Sequence, residues 1–445
     1  MNSTKHSTPT QVSKGMWSWA MFDWANSAFF VIIQTFVFAA YFQRSIAADA
    51  ISGTEQWGNM VSAAGLLIAF TAPVLGAIAD RSGRRKPWIA AFSLMSIVAS
   101  FLLWFAEPST EFLTYALVVT FVATVGAEYA FIFYNAMLPD LVPPSHLGRW
   151  SGWSWAMGFA GGIVCLLGAL YLFIENGGAW LGLDTETLEH IRATFIFTAL
   201  WYLVFSIPMF LRTPDIPNNN IPVGQAITEG ILQLKNSIKE ARNYANIYRF
   251  LLARMIYNDA VILIYAFGGI YAAGTFGMDE SQIIIFGIGL NVTAALGAVG
   301  FSWMDDRSGS KKTILFSLIG LIIPVTAILF VEDIFWFWIW GLMLGVFFGP
   351  VQAASRTLMG RLAPEDKRTE MFGLFAFSGK ATAFIGPKLL GWVTVLFASQ
   401  RIGMSVVLVL LALGFLLMLR VQEPEKIQES AKIQESAKIQ ESAKI

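Results

Sequence analysis

Gly76-Ala77-Ile78-Ala79-Asp80-Arg81-Ser82-Gly83-Arg84-Arg85 closes one long apolar run of this 445-residue chain. Its frame, Asp-Arg-x-Gly-x-Arg/Lys, returns 226 residues later as Asp306-Arg307-Ser308-Gly309-Ser310-Lys311, again at the end of an apolar run. Two more pairs repeat at similar offsets: Gly152 and Gly158 with Gly373 and Gly379, and Asp23 with Asp259. Three such coincidences indicate a duplicated unit. Within the first copy, Asp80 ends a helix and can pair with Arg81, Arg84 or Arg85; it can also face the N-terminus of another helix, where a carboxylate is favoured. In the second copy Ser302 stands where the first has Gly76, which puts its helix packing in question.

The runs around these motifs are membrane spans. Hydrophobic residues make up 56% of the chain and charged ones 13%, against about 25% charged in ordinary soluble domains. A soluble globule needs far more polar cover, and 30 Lys+Arg against 30 Asp+Glu give none of the excess positive charge of a nucleic-acid binder. Crossing a bilayer takes about 20 apolar residues per helix. Twelve stretches qualify: 17–43, 57–80, 86–105, 111–137, 150–173 and 190–211, then 248–274, 280–304, 312–331, 333–356, 368–397 and 401–420. Runs such as Ile314 to Phe330 do not alternate, so a β-barrel is excluded and helices remain. The expected fold is an all-α polytopic membrane protein of two six-helix bundles: 1–16 a tail, 17–211 and 248–420 the bundles, 212–247 a linker, and 421–445 a hexapeptide-repeat tail.

With both termini on one side, that side collects 24 Lys and Arg and the other only Arg44, Arg192 and Arg401. The positive-inside rule then makes the termini cytoplasmic. Arg356, Arg361 and Arg368 are counted on the cytoplasmic side. The segment before Gly15 has no apolar core and does not read as a signal peptide. Cys165 is the only cysteine and the three histidines are scattered, so no metal site is expected. In the linker, Ile227, Ile231, Leu234, Ile238 and Ala241 recur at helical spacing with Lys235, Lys239 and Arg242 off that face. This helix lies either in the membrane interface or packed under the bundle. Isoleucines every six residues in the C-terminal repeat form no single apolar stripe, so a solvated extension is expected there.

The Gly76–Arg85 motif resembles the loop between spans 2 and 3 of the major facilitator superfamily. Phe22-Asp23-Trp24-Ala25-Asn26-Ser27-Ala28-Phe29, Tyr257-Asn258-Asp259 and Ser378-Gly379-Lys380-Ala381-Thr382-Ala383-Phe384-Ile385-Gly386-Pro387 are similar to its vacuole-effluxer-like family. The resemblance implies two pseudo-symmetric six-helix bundles, alternating access, and a gating loop made by Gly76, Asp80, Arg81, Gly83, Arg84 and Arg85 with Asp306, Arg307, Gly309 and Lys311. Asp80 would latch the outward-open state against the other half. Fungal members of that family are similar to exporters of amino acids from the vacuole.

Charges inside spans are costly and mark pathways or pairs. Asp23, Glu128, Arg254, Asp259, Lys380 and Lys388 qualify, three acids and three bases. By the resemblance, spans 1, 4, 7 and 11 line the cavity, and Asp23, Asn26, Glu128, Arg254, Tyr257, Asn258, Asp259 and Lys380 lie on them as substrate or proton sites. Lys380 or Arg254 can take a carboxylate; Asp259, Asp23 or Glu128 can take an ammonium or a proton. Pairing of Asp259 with Arg254 or Lys380, or of Glu128 with Arg254, would instead be structural. Lys388 can snorkel outward, and Trp24 and Tyr257 flank the charged sets.

The expectation is a secondary transporter of a small polar solute, an amino acid or related zwitterion, coupled to protons, with no cofactor, acting as a monomer in a bacterial cytoplasmic membrane. An exporter of amphipathic compounds, a sugar transporter and a non-transporting sensor are the alternatives. No nucleophile–base pair or phosphate-binding loop points to an enzyme.

Overall fold

A computed structural model describes residues 11–239, 243–278 and 280–423, so the C-terminal repeat and the part of the linker holding Ala241 and Arg242 lie outside the described residues. Among the described residues, eleven helices are long and apolar enough to cross a membrane. Spans 1 to 6 are Met16–Ile46, Ala50–Ser82, Lys86–Phe105, Thr110–Leu141, Pro144–Ile174 and Glu189–Arg212. Spans 7 to 10 are Ala245–Phe276, Glu280–Ser308, Ser310–Phe330 and Ile334–Leu362, and span 12 is Gln400–Leu419. The remaining crossing, span 11, is made by Arg368–Lys380 and Ile385–Phe397 with turns at 381–384 between them. Several helices run past the apolar runs at the end that carries the termini. Span 10 continues to Leu362 because nothing between Phe348 and Ala363 stops it except Pro350, which bends a helix without ending it. Arg356 is therefore inside a span, and its assignment to a cytoplasmic loop is corrected.

The halves are built alike. Span 1 packs on spans 5 and 6, and span 7 on 11 and 12; span 3 packs on 4 and 6, and span 9 on 10 and 12. Two seams join the halves, span 2 against span 11 and span 5 against span 8. The repeat exchanges one seam for the other, and the contacts follow. A Cβ on Gly373 would meet the Ala72 carbonyl oxygen at 2.5 Å, and one on Gly152 the Ala298 oxygen at 2.3 Å. Gly76 has the Thr369 oxygen 2.4 Å from where its Cβ would stand. Ser302 has a real Cβ at the equivalent place and is accommodated because it faces Gly152. The doubt raised by this serine is resolved by the small residue opposite it.

The third and ninth spans are started by acids that come after spans 6 and 12. Asp215 accepts from the Arg85 and Lys86 N–H groups at 3.1 and 3.0 Å; Glu423 accepts from those of Ser310 and Lys311 at 2.6 and 3.2 Å. Each satisfies first-turn donors that have no intrahelical partner. Asp215→Ala and Glu423→Ala are each expected to cost about 0.5–2 kcal/mol, a fall of a few degrees in the melting temperature of the detergent-solubilised protein. Unchanged melting would mean that these caps are not held in solution.

The linker helix, Val223–Lys239, lies along span 2. Its Ala226, Gly230, Gln233 and Ser237 face inward, with Gly230 against the Ile78 backbone, while Ile227, Ile231 and Leu232 are exposed. The helix packs on the bundle through its small and polar residues, and its apolar residues look outward.

Candidate functional site

Charged groups stand in three tiers measured from the helix ends on the termini side. The first is at those ends. Asp80 accepts from the Thr369 and Glu370 N–H groups at 3.0 and 2.8 Å, capping span 11 of the other half. Asp306 accepts from the Gly148 N–H at 2.8 Å, at the start of the main helix of span 5. A helix N-terminus carries partial positive charge, so each carboxylate is held by both hydrogen bonding and the dipole. Arg85 donates to the Thr369 hydroxyl at 2.9 Å and bridges to Asp140, which also binds Arg368; Arg361 reaches Asp305 at 2.8 Å. Burial lowers the Arg85 pKa from its ordinary value, opposed by Asp80 and Asp215, and a guanidinium still stays charged. Gly83 and Gly309 turn the chain at φ of +93° and +95°, a conformation that glycine adopts without strain. Arg84 and Arg307 are exposed and Arg81 is half-buried, and among the described residues the ion pairs of this tier are made by residues other than these three.

The second tier lies about 10 Å deeper, at 1.5 Å per residue. Asp23, seven residues into span 1, meets Arg356, six residues from the end of span 10, at 3.4 Å, and Tyr134 donates to the same carboxylate oxygen at 3.0 Å. Asn26 is buried one turn on, with no partner for its Oδ1.

The third tier lies about 19 Å in, close to the middle of a bilayer core. Lys380, at the break in span 11, reaches Glu128 of span 4 at 2.5 Å. The break frees backbone carbonyls, and irregular backbone at this depth is tolerated only where protein or a cavity satisfies it. Arg254 braces the helix just before the break, donating to the Phe375 carbonyl and the Ser378 hydroxyl, each at 2.8 Å, and lying over the Phe375 ring at 3.5 Å. Asn258 turns to the Gly379 carbonyl at 3.5 Å and accepts from Gln352 at 3.2 Å. Neither Arg254 nor Asp259 has an oppositely charged group within ion-pair distance among the described residues, and the Asp259 Oδ1 is buried without a partner. Of the open pairings, Glu128 joins Lys380, not Arg254.

The two flanking aromatic residues are placed differently. Trp24 stacks on Trp201 at 5.7 Å and lines an open apolar groove of about 730 Å³ with Trp17, Trp153 and Trp303. Tyr257 is sealed between spans 7, 10 and 12, its hydroxyl 2.7 Å from Ser355 Oγ and its Cβ against Gly414. Lys388 is exposed, over the Phe384 ring. Arg356, Tyr134, Asn135, Asp140, Arg361 and Arg368 complete the tiers and were not among the expected site residues. A usable signal existed for Arg356: no stop residue separates it from the apolar part of span 10.

Three kinds of similarity accompany this geometry. Residues 148–431 match the family model described as vacuole effluxer Atg22 like, and residues 20–273 that of the major facilitator superfamily. The chain is 24% identical over 418 residues to the uncharacterized MFS-type transporter YxiO of Bacillus subtilis (strain 168), covering 91% of this chain and 94% of that one. It is 26% identical over 231 residues to autophagy-related protein 22 of Kluyveromyces lactis, covering 47% of each, so it aligns with about half the length of that fungal relative. Among solved structures, the proton:xylose symporter XylE superimposes at a TM-score of 0.71 with 14% identity, over 92% of this chain and 95% of that one. FucP in its outward conformation also gives 0.71, with 15% identity over 92% and 98%.

Proposed function

Because this chain belongs to the vacuole-effluxer Atg22-like family and to the major facilitator superfamily, we propose that it is a proton-coupled secondary transporter of an amino acid or related zwitterion. The observation that carries the proposal is the Glu128–Lys380 pair. It bridges the halves at mid-depth, and its side chains retain 13% and 32% of their exposure, so a solute can reach it. A zwitterion can replace the pair without leaving a charge bare, its ammonium on Glu128 and its carboxylate on Lys380. Arg254, a buried cation with no acid within ion-pair distance among the described residues, lies against Gly379 beside this pair and adds a second carboxylate donor. Broken helices place such sites in transporters generally.

The excess of basic residues on the termini side, which remains after Arg356 is moved into span 10, supports cytoplasmic termini. The contacts between halves gather on that side, in the Asp80, Asp306, Arg356 and Lys380 tiers, which favours an outward-facing state closed to the cytoplasm. Protons are the proposed coupling ion, carried by the buried carboxylates; the protein acts as a monomer in a bacterial cytoplasmic membrane. Purified protein in proteoliposomes should accumulate an amino acid from a labelled panel when a pH gradient is imposed, and lose accumulation when the gradient is collapsed. No flux of any panel member defeats the substrate proposal, and flux indifferent to the gradient defeats the coupling.

A further inference from the structure

Two of the ion pairs between the halves, Glu128–Lys380 and Asp23–Arg356, differ in access. Glu128–Lys380 is partly open, whereas Asp23 and Arg356 retain 5% and 1% of their side-chain exposure. A solute can compete for the first pair; only a proton can reach the second without the halves parting.

Arg356 belongs to the second half, yet its described side-chain hydrogen bonds all go to the first. Its Nε donates to the Ser151 hydroxyl at 2.9 Å, and one terminal nitrogen to the Ser151 carbonyl and the Ser154 hydroxyl at 2.6 and 2.5 Å. The other donates to Asn135 Oδ1 at 2.9 Å and to Asp23 at 3.4 Å. The Trp19 and Trp155 rings stand 5.6 and 5.8 Å from the guanidinium carbon. Spans 1, 4 and 5 thus form a socket for one side chain of span 10, and opening the termini side must withdraw it. Asp23 is the only anion among these partners. Asn135, Ser151 and Ser154 are neutral, and Tyr134, the other titratable group facing Asp23, is a hydrogen-bond donor to it.

We propose that Arg356 is the positioning residue that converts the charge of Asp23 into the open or closed state of the termini side. With Asp23 ionised, the guanidinium is compensated and the halves stay joined. With Asp23 protonated, a buried cation is left among neutral acceptors, a costly arrangement relieved when Arg356 leaves the socket for water. This rests on the proton-coupled reading above and names the pair on which the coupling acts.

The test measures distances between the halves. Cys165→Ser removes the native thiol; Glu175→Cys and Glu332→Cys place spin labels on exposed loops of opposite halves, on the side away from the termini. In proteoliposomes, lowering pH from about 8 to 5 should shift the unmodified pair from long to short separations by about tenfold in population ratio. Asp23→Asn and Arg356→Gln should each give short separations at both pH values, and together no more than either alone. Arg356→Lys keeps the charge and should keep the pH response, so it tests the proposal even where the glutamine variant does not fold. A normal pH response in Arg356→Gln, or loss of the response in Arg356→Lys with Arg356→Gln folded and unshifted, overturns the proposal. So does an additive double variant. A pH-indifferent parent protein whose two variants still shift non-additively removes proton coupling but leaves Arg356 as the tether.

Discussion

Lys380→Gln and Glu128→Gln are each expected to reduce substrate flux by roughly ten- to a hundredfold. Removing one partner of a desolvated pair strands the other charge, at a cost on the order of 3–5 kcal/mol for full burial. Lys380 keeps about a third of its side-chain exposure, so screening reduces this to about 1.5–3 kcal/mol, at 1.4 kcal/mol per decade. The loss should fall on transport, because in the proposed function the same two groups that join the halves also receive the solute. The exchange Glu128→Lys with Lys380→Glu separates the two roles. It should restore thermal stability in detergent, since the ion pair is rebuilt, and should leave flux low, since donor and acceptor then stand on the wrong sides of Arg254. Full flux in either single variant, or recovery of flux in the exchange, would mean the pair is only a strut.

Gly76→Leu is the second large effect. A side chain there meets the Thr369 carbonyl oxygen, its carbon and the Glu370 Cα at 2.4, 2.7 and 2.9 Å from the first atom. All three are backbone, so no rotamer relieves the clash, and span 2 must separate from span 11. Overpacking of this kind costs about 1–3 kcal/mol, and separation also removes the Asp80 cap, about 0.5–2 kcal/mol more. Closure on the termini side should weaken accordingly. A thiol placed by Ala353→Cys, buried on span 10 where the Ser151 hydroxyl of span 5 donates to its carbonyl, should react with maleimide about tenfold faster or more in a Cys165→Ser background. Gly65→Leu is the control in the same helix, where nothing lies within 4 Å of the added Cβ. Equal labelling in the two variants would falsify the close seam.

The duplicated motif is an instructive case of what a sequence shows. The pairs Gly76 with Ser302 and Gly152 with Gly373 were visible as repeats, because their offsets are a property of the chain. That Gly76 lies against Thr369 and Gly152 against Ala298, so that one repeat is locked to the other, was not visible. Asp80 was legible as a helix-capping acid, since its spacing from Gly76 and Gly83 fixes its place at a helix end; the span it caps lies 289 residues away. The in-span charges Asp23, Glu128, Arg254, Asp259 and Lys380 stood out because each interrupts an apolar run. Their partners could not be read the same way: three acids and three bases allow several pairings, and the Asp23 partner was not among them.

Counting Lys and Arg by loop also mixed two kinds of charge. Arg85, Arg356, Arg361 and Arg368 add to the positive side of the membrane and at the same time lie buried between the halves. The sequence by itself determined the spans, their number, the duplication and the charge asymmetry, because each depends on residues near one another in the chain and on a solvent that tolerates only closed backbone hydrogen bonding. Which charge meets which was decided only by the tertiary structure. A buried ion pair is set by the meeting of two helices at one depth, as Asp23 and Arg356 meet at about 10 Å and Glu128 and Lys380 at about 19 Å. That depth depends on where each helix starts and stops and on which seams the glycines allow to close.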